Sequence, residues 1–233
     1  MSPIPSGPAF VPKGQGMDTA DTPARQKVLL RQRMKEALAG LSTADIAAES
    51  LRALEQVPES RYWQRARSIL SYVPFPRGEF DTGPLNRAAF DGGKRLLLPR
   101  TRGSAISMIP LPSHRDWRTG LVASPFKGLL EPPEDWPACP PEGVEGPLLV
   151  LVPGLAFDRH GRRLGRGLGC YDRLLTRLRH EAGIEGGLCA LGMALEIQLV
   201  DEIPVDAYDV GLDALYCGGS ILKADCSNPS PGF

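Results

Sequence analysis

The sequence predicts one α/β domain of three layers, α/β/α, with helices on both faces of a mainly parallel sheet. The 233 residues, 42% of them hydrophobic, are enough to bury one substantial core. An apolar run from Leu148 to Val152 is typical of a strand buried on both faces. Segments with strand character alternate with helical segments, so we expect ligands to gather at the carboxyl ends of the strands.

Two helices are predicted to open the domain. Residues 24–39 carry apolar side chains at helical spacing, and Gly40 ends the segment. Ser42 and Asp45 form a capping box for a second helix that Pro58 stops. Its inward-facing residues are expected to be Ile46, Leu51, Leu54 and Val57.

The other elements follow from apolar runs and turn residues. Strands are expected over residues 67–73, 94–100, 105–111, 148–152, 188–195 and 214–218. Residues 101–104 read as a short turn that joins two of these strands as neighbours. A helix is expected from Tyr171 onward, with Leu174, Leu175 and Leu178 on one stripe.

The ends of the chain are expected to be flexible tails around this domain. Residues 1–23 and 223–233 are rich in Pro, Gly and Ser without periodicity, which leaves residues 24–222 as the domain. The chain has no run of roughly 18 apolar residues and no secretory signal pattern, so we expect a cytoplasmic protein without a membrane partner. Five scattered cysteines indicate reduced thiols, and Cys189 and Cys217 read as small core residues.

A glycine- and arginine-rich loop follows the central strand. Gly161, Gly165, Gly167 and Gly169 are expected to allow positive φ and close ligand approach, while Arg162, Arg163 and Arg166 supply positive charge. A strand, such a loop and a helix N-terminus together favour bound anions. The spacing matches neither a Walker loop nor G-x-G-x-x-G, and a merely solvated loop is the alternative.

The charge distribution indicates what kind of anion would bind. The chain holds 27 basic and 27 acidic residues, yet residues 158–179 contain seven arginines against two aspartates. A local excess within a neutral chain favours a small polyanion and speaks against nucleic acid as a partner.

Residues 152–173, which read VPGLAFDRHGRRLGRGLGCYDR, resemble the signature of the 5-formyltetrahydrofolate cyclo-ligase family, close to PGLxFDxxGxRLGRGxGYYDR. Five further segments agree in order: Lys27-Val-Leu-Leu-Arg31, Glu79-Phe-Asp81-Thr82, Leu96-Leu-Leu-Pro99, Gly128-Leu-Leu-Glu131-Pro132 and the stretch from Asp209 to Asp213. The likeness runs from about residue 24 to about residue 220. It implies a layered fold of the NagB/RpiA/CoA-transferase type.

The resemblance also implies a reaction, in which ATP and Mg²⁺ drive the cyclisation of 5-formyltetrahydrofolate to 5,10-methenyltetrahydrofolate through a phosphorylated formyl oxygen. Arg166 and Tyr171 are the catalytic candidates, and Asp172 and Asp209 the Mg²⁺ ligands. ATP binding is assigned to Lys27, Arg31, Arg163, Leu164, Gly165, Arg166, Gly167, Leu168, Gly169, Cys170 and Tyr171. Folate binding, including folate with several glutamates, is assigned to Pro74, Glu79, Arg166, Gly167, Leu168, Gly169 and Cys170. We expect a monomer.

Cys170 is a departure, because the family commonly has an aromatic residue there. Loss of that aromatic is expected to weaken folate binding or change substrate preference. Two alternatives follow: a non-catalytic folate- or nucleotide-binding paralogue, or an enzyme that uses Cys170 as a nucleophile of depressed pKa with His160 as its base. A relative of sugar-phosphate isomerases or CoA-transferases is a third alternative, and ATP binding would discriminate against it.

Overall fold

The structure of the protein is a computed structural model that describes residues 22–75, 78–112, 118–124, 129–180, 184 and 187–224. Helix α1 begins at Pro23 and the last strand ends at Lys223, close to the expected ends of the domain. Of the two expected tails, only Thr22, Pro23, Lys223 and Ala224 are among the described residues. Gly128 of the G-x-x-E-P element also lies outside them.

The described chain contains five α-helices and eleven strands. The helices are α1 (Pro23–Ala39), α2 (Thr43–Gln56), α3 (Arg61–Arg65), α4 (Gly83–Asp91) and α5 (Cys170–His180). The strands of the large sheet are β1 (Ser68–Leu70), β2 (Arg95–Arg102), β3 (Ala105–Pro110), β6 (Leu148–Val152), β9 (Leu188–Ala194), β10 (Ala214–Cys217) and β11 (Ser220–Lys223). Two small hairpins pair β4 (Val122–Ala123) with β5 (Leu130–Glu131) and β7 (Ala156–Phe157) with β8 (Arg163–Leu164).

The large sheet has seven strands in the order β11-β10-β9-β6-β1-β2-β3. The five central strands run parallel, and β3 and β11 pair antiparallel at the two edges. The expected mainly parallel sheet is therefore confirmed. Strand β6 is buried along its whole length between two parallel neighbours, which explains its uninterrupted apolar sequence.

Two hydrophobic cores cover the two faces of the sheet. Residues of α1 to α4 pack with one set of alternate strand residues, whereas Leu174, Leu175 and Leu178 of α5 pack with the other set. Strand residues that are adjacent in sequence point to opposite faces, so Leu149 belongs to the first core and Val150 to the second. The three-layer arrangement is thus α/β/α, and it comes from strands that are apolar on both faces.

The second helix shows one wrong prediction. The capping box of Ser42 and Asp45 is present, but Leu51 and Leu54 are 54% and 37% exposed. Ser50 and Ala53 face the core instead, together with Ile46 and Val57. At about 100° per residue, Leu51 lies about 140° around the helix from Ile46 and Leu54 about 80°. The smaller side chains therefore belong to the stripe that packs.

The remaining boundaries follow the sequence closely except at β1. Strand β1 covers only three residues of the expected 67–73. Residues 95–110 form the expected hairpin, with β2 and β3 paired. The polar connection over residues 131–147 packs partly against β3, since the Cys139 N–H donates to the Met108 carbonyl at 2.8 Å. Within the described residues, no helix is long and apolar enough to cross a membrane.

Candidate functional site

A cleft of about 1430 Å³ opens at the carboxyl ends of the central strands. Tyr72 and Val73, just after β1, and Pro153 and Gly154, just after β6, form its floor. These two strands are neighbours from which the chain leads to opposite sides of the sheet, and this is where open α/β sheets bind ligands. The first turns of α1 and α5, the glycine loop and residues 206–210 form the walls.

The glycine loop lies along this cleft, but it is more structured than its composition indicates. Positive φ is found as expected at Gly161, Gly167 and Gly169. Gly165 does not have it, so that expectation is wrong; a Cβ there would lie 2.8 Å from Nη1 of Arg163. Gly165 therefore leaves space for a guanidinium and does not supply a positive φ.

The first part of the loop is a hairpin turn organised by Asp158. This fully buried carboxylate accepts hydrogen bonds from the backbone N–H groups of His160, Arg162 and Ile203. Arg162 forms ion pairs with Asp158 and Glu202 and is not among the residues that line the cleft. Part of the arginine excess therefore stabilises the hairpin.

Arg163 and Asp172 form a buried ion pair at the base of the cleft. Nη2 of Arg163 donates to both oxygens of Asp172 at 2.9 Å, and Nη1 donates to the Pro153 carbonyl at 3.3 Å. The guanidinium also lies over the ring of Tyr171, 5.7 Å from its centroid. Arg163 thus connects the end of β6 to the first turn of α5.

Arg166 and Glu79 form a second pair further out. Nε and Nη2 of Arg166 donate to Oε1 of Glu79 at 3.2 and 2.9 Å, and the guanidinium lies 4.2 Å from the centroid of the Phe75 ring. The other oxygen of Glu79 accepts the backbone N–H of Phe75 at 3.0 Å. Burial raises the pKa of the Glu79 carboxyl, although Arg166 and the Phe75 N–H oppose the rise.

Helix α1 contributes two further cations to the cleft, Lys27 and Arg31. Lys27 is 5% exposed, and its ammonium forms hydrogen-bonded ion pairs with Asp206 at 2.7 Å and with Asp209. Burial alone would lower the pKa of Lys27, but the hydrogen bonds and negative charges of the two aspartates together outweigh it and raise that pKa. Arg31, one turn later, donates through Nε to the Gly165 carbonyl at 2.9 Å. The two predicted cations of α1 therefore face the cleft.

The other predicted residues divide into three groups. Leu168, Gly169, Cys170 and Tyr171 line the cleft. Leu164 also lines it but is 1% exposed, so its side chain belongs to the core. Pro74 lies between two lining residues, Val73 and Phe75, and is not itself among the lining residues.

The structure contradicts one expectation for Cys170. Its thiol pKa is raised by burial rather than depressed, because burial outweighs Arg173 and the other positive groups nearby. His160 is exposed on the hairpin turn and is not among the residues that line the cleft. Burial likewise raises the pKa of Tyr171 well above that of an ordinary tyrosine, which keeps its hydroxyl protonated.

The candidate metal ligands lie near each other, since the backbone N–H of Val210, next to Asp209, donates to Asp172 at 3.5 Å. Both carboxylates are already paired with cations. A carboxylate offers about four acceptor positions, so oxygens remain for a hard cation that keeps several waters. Within the described ranges, no group of three or more His, Cys, Asp and Glu could hold a metal. A Mg²⁺ ion held by Asp172 and Asp209 would therefore have to take its remaining ligands from substrate and water.

Sequence reasoning missed many of the residues that line the cleft, among them Asp206, Phe75 and Tyr208. Asp206 and Asp209 both form ion pairs with Lys27. The D-x-x-D spacing is the sequence signal that could have pointed to Asp206. The ring of Phe75 packs against the Arg166 guanidinium. An aromatic residue in a proline-rich connection is only a weak sequence signal for such a contact. Tyr208 lines the cleft and has no sequence signal at all.

Comparison with known proteins decides the family. The sequence model of the 5-formyltetrahydrofolate cyclo-ligase family matches residues 23–217. The chain belongs to this family. A probable 5-formyltetrahydrofolate cyclo-ligase of Caenorhabditis elegans is 32% identical over 197 residues, which cover 83% of this chain and 93% of that protein. The 5-formyltetrahydrofolate cyclo-ligase of Mycolicibacterium smegmatis is 40% identical over 148 residues, covering 63% of this chain and 71% of that protein.

A solved structure agrees with the cyclo-ligase family. The NMR structure of Aquifex aeolicus 5,10-methenyltetrahydrofolate synthetase matches with a TM-score of 0.67 at 26% identity, covering 87% of this chain and 95% of that one. The resemblance seen in the sequence is thus confirmed over nearly the whole domain. The chain is a member of a family of ligase enzymes.

Proposed function

We propose that this protein catalyses the cyclisation of 5-formyltetrahydrofolate to 5,10-methenyltetrahydrofolate, with ATP converted to ADP and phosphate. The observation that carries the proposal is the composition of one cleft. It brings together a buried carboxylate, Glu79, and four cations, Lys27, Arg31, Arg163 and Arg166, around a glycine-rich loop. A carboxylate suits the N–H edge of a pterin, and the cations suit a triphosphate.

ATP would bind along the wall formed by α1 and the glycine loop. Lys27 and Arg31 lie four residues apart on the cleft face of α1, and Arg31 already contacts the loop at Gly165. Phosphate oxygens can replace the carbonyl and carboxylate oxygens that these cations now contact. Backbone N–H groups from Gly165 to Tyr171, ahead of and within the first turn of α5, would add donors without adding charge.

Folate would bind beside Phe75 and Glu79. The Phe75 N–H holds Oε2 of the Glu79 carboxylate. We therefore expect Oε1 to release Arg166 and to accept hydrogen bonds from the pterin N–H groups instead. The side chain of Arg166 is 31% exposed, against 7% for Glu79, so Arg166 is the partner that a ligand can displace. Once displaced from Glu79, the Arg166 guanidinium would lie between the two substrates. Negative charge develops there while the γ-phosphoryl group moves from ATP to the formyl oxygen. Leu168 and Cys170 would contact the folate.

The chemistry consists of two displacements. The formyl oxygen attacks the γ-phosphorus of ATP and ADP leaves. N10 then attacks the formyl carbon, phosphate departs with the former formyl oxygen, and the N10 proton is lost to the departing phosphate or to water. The protein would supply positioning and positive charge for both steps. Arg166 stabilises the transferring phosphoryl group, and Tyr171 stays protonated as a hydrogen-bond donor.

Mg²⁺ bound by Asp172 and Asp209 would neutralise phosphate charge. Asp172 can keep Arg163 while it offers remaining lone pairs to the cation. For Asp209, binding would require sharing or releasing Lys27, which frees that ammonium for phosphate. A cytoplasmic location, a monomeric state and acceptance of polyglutamylated folate are further parts of the proposal.

The test follows the near-ultraviolet absorbance of the conjugated amidinium product in a mixture of protein, 5-formyltetrahydrofolate, Mg²⁺ and ATP. We expect absorbance to rise only when ATP is present. Arg166→Ala should slow the rise by roughly 100-fold or more, since it removes a charge that acts on the transition state. Arg159→Ala is the matched control, because Arg159 is an exposed residue of the same motif that is not among those lining the cleft.

The outcomes separate the proposal from its alternatives. ATP binding without any rise in absorbance would indicate a non-catalytic paralogue, and Cys170→Tyr would then test whether the missing aromatic is the cause. Turnover that Cys170→Ser abolishes would favour the thiol-dependent enzyme. Equal rates for Arg166→Ala and Arg159→Ala would contradict the role of Arg166.

A further inference from the structure

Tyr208 is an aromatic residue held in solvent at the cleft. The residue is 87% exposed, the highest value among the large hydrophobic residues in the described part of the chain, and yet it lines the cleft. An aromatic side chain normally buries most of its surface. A ring kept in water beside a binding cleft offers that surface to a ligand.

The backbone beneath this ring is fixed. The Tyr208 N–H donates to Oδ1 of Asp206 at 2.9 Å, and the Asp206 N–H donates to Oδ2 of Asp209 at 2.8 Å. The same two carboxylates hold the buried ammonium of Lys27. The ring is therefore carried by a turn that is tied to the proposed phosphate-binding cation.

The nearby wall of α1 has a matching composition. Ala24, Lys27, Val28 and Arg31 all line the cleft, and their spacing of i, i+3, i+4 and i+7 places them on one face of the helix. Val28 is 60% exposed despite being apolar. Apolar surface alternates with positive charge on this face, which suits a ligand with a flat apolar part joined to an anionic part.

We propose that Tyr208 is the stacking platform for the purine base of the nucleotide, with Val28 and Ala24 as the apolar surface next to it. This inference rests on the proposed function, in which Lys27 and Arg31 hold the phosphates. The base is favoured over the pterin because Tyr208 is tied to Lys27, whereas Glu79 hydrogen-bonds to Phe75 and Arg166. The assignment makes Tyr208 a nucleotide-positioning residue that lies outside the glycine motif.

The test compares two ligands that share a triphosphate, of which only ATP carries adenosine. Binding of ATP and of inorganic tripolyphosphate is measured by calorimetry for wild type, Tyr208→Ala and Tyr208→Phe. We expect Tyr208→Ala to bind ATP about 5- to 150-fold more weakly, the range for loss of one base–aromatic stack, and to bind tripolyphosphate as wild type does. Tyr208→Phe should retain ATP binding, because the ring and not the hydroxyl is needed.

Unchanged tripolyphosphate binding also reports that the variant is folded with an intact phosphate site. Equal weakening of both ligands, or no weakening of either, would overturn the stacking role while leaving the proposed function in place. Weakened binding of 5-formyltetrahydrofolate with ATP unaffected would assign the ring to the folate and overturn the inference as well. A wild-type protein that binds neither ATP nor tripolyphosphate would overturn the proposed function, and this inference with it.

Discussion

Two ion pairs in the same cleft differ in which partner is buried. In the Arg163–Asp172 pair the cation is the buried partner, with side-chain exposures of 5% for Arg163 and 19% for Asp172. In the Arg166–Glu79 pair the anion is buried, with 7% for Glu79 and 31% for Arg166. A buried arginine cannot release its charge, whereas a buried carboxyl can bind a proton. The first pair therefore suits a permanent support, and the second suits exchange with a ligand.

Their other contacts support this division. Arg163 also donates to the Pro153 carbonyl and lies over the Tyr171 ring, so it links three parts of the chain. Arg166 contacts Oε1 of Glu79 and lies over the face of Phe75, which a planar ligand could take over. The positions of the two arginines in the glycine- and arginine-rich motif do not distinguish their roles. Their structural surroundings do.

The largest effect should come from breaking the first pair. Asp172→Ala leaves the Arg163 charge buried without its partner, so we expect the free energy of unfolding to fall by about 3–5 kcal/mol. Because arginine does not titrate, the loss should be the same at pH 5 and pH 8. Urea unfolding measures it, with the exposed Asp201→Ala as a control expected within about 0.5 kcal/mol of wild type. A loss no greater than that of the control would show that Arg163 needs no partner.

A smaller and pH-dependent effect is expected when the second pair is broken. In Arg166→Ala the pKa of Glu79 should rise further, since the guanidinium now opposes the effect of burial. An ionised, buried carboxylate then costs about 1–2 kcal/mol of unfolding free energy at pH 7.5. Below the ordinary pKa of Glu, folded and unfolded chains both carry the proton, so the loss should disappear near pH 4.

Urea unfolding of Arg166→Ala from pH 4 to pH 8 measures this dependence. The double variant Arg166→Ala with Glu79→Gln is the control, and its stability relative to wild type should lack the loss that grows with pH. If the single variant loses the same free energy at every pH, Glu79 does not titrate in the way its burial requires.

The smallest effect should come from Glu79→Gln alone. Because the raised pKa means that the folded protein holds this proton more tightly than the unfolded chain, ionised Glu79 costs stability at neutral pH. Its replacement should therefore stabilise the protein by up to about 1 kcal/mol at pH 7.5 and leave stability unchanged near pH 4. The exposed Glu142→Gln serves as the control in the same assay. A destabilised Glu79→Gln at pH 7.5 would place Glu79 among the structural supports.

The sequence predicted the parts of this site that are contiguous. The strand, glycine loop and helix between residues 148 and 180 follow from local apolar periodicity and turn residues, and the structure has them with nearly the expected bounds. Local patterns succeed here because each element is determined largely by its own residues. The assignment of Lys27 and Arg31 of α1 to the site comes instead from the family resemblance, and both residues line the cleft.

Local sequence patterns could not predict the contacts between distant segments. Lys27 and Asp206 are 179 positions apart, and nothing in either segment indicates that they meet. The expected inward positions of α2 are apolar residues, yet Ser50 and Ala53 pack and Leu51 does not, because the neighbouring elements determine which helix face is covered. The space that Gly165 leaves beside the Arg163 guanidinium likewise depends on side-chain packing that the sequence does not show.

The central claim is that Arg166 leaves Glu79 for the ligands while Arg163 stays on Asp172. A crystal structure of the protein with 5-formyltetrahydrofolate, Mg²⁺ and a non-hydrolysable ATP analogue tests this most directly. The claim predicts that the Arg163–Asp172 contact keeps its 2.9 Å distance and that Arg166 lies against phosphate oxygens, with the pterin on Glu79. An Arg166–Glu79 contact still at 2.9 Å in that complex, or a separated Arg163–Asp172 pair, would contradict it.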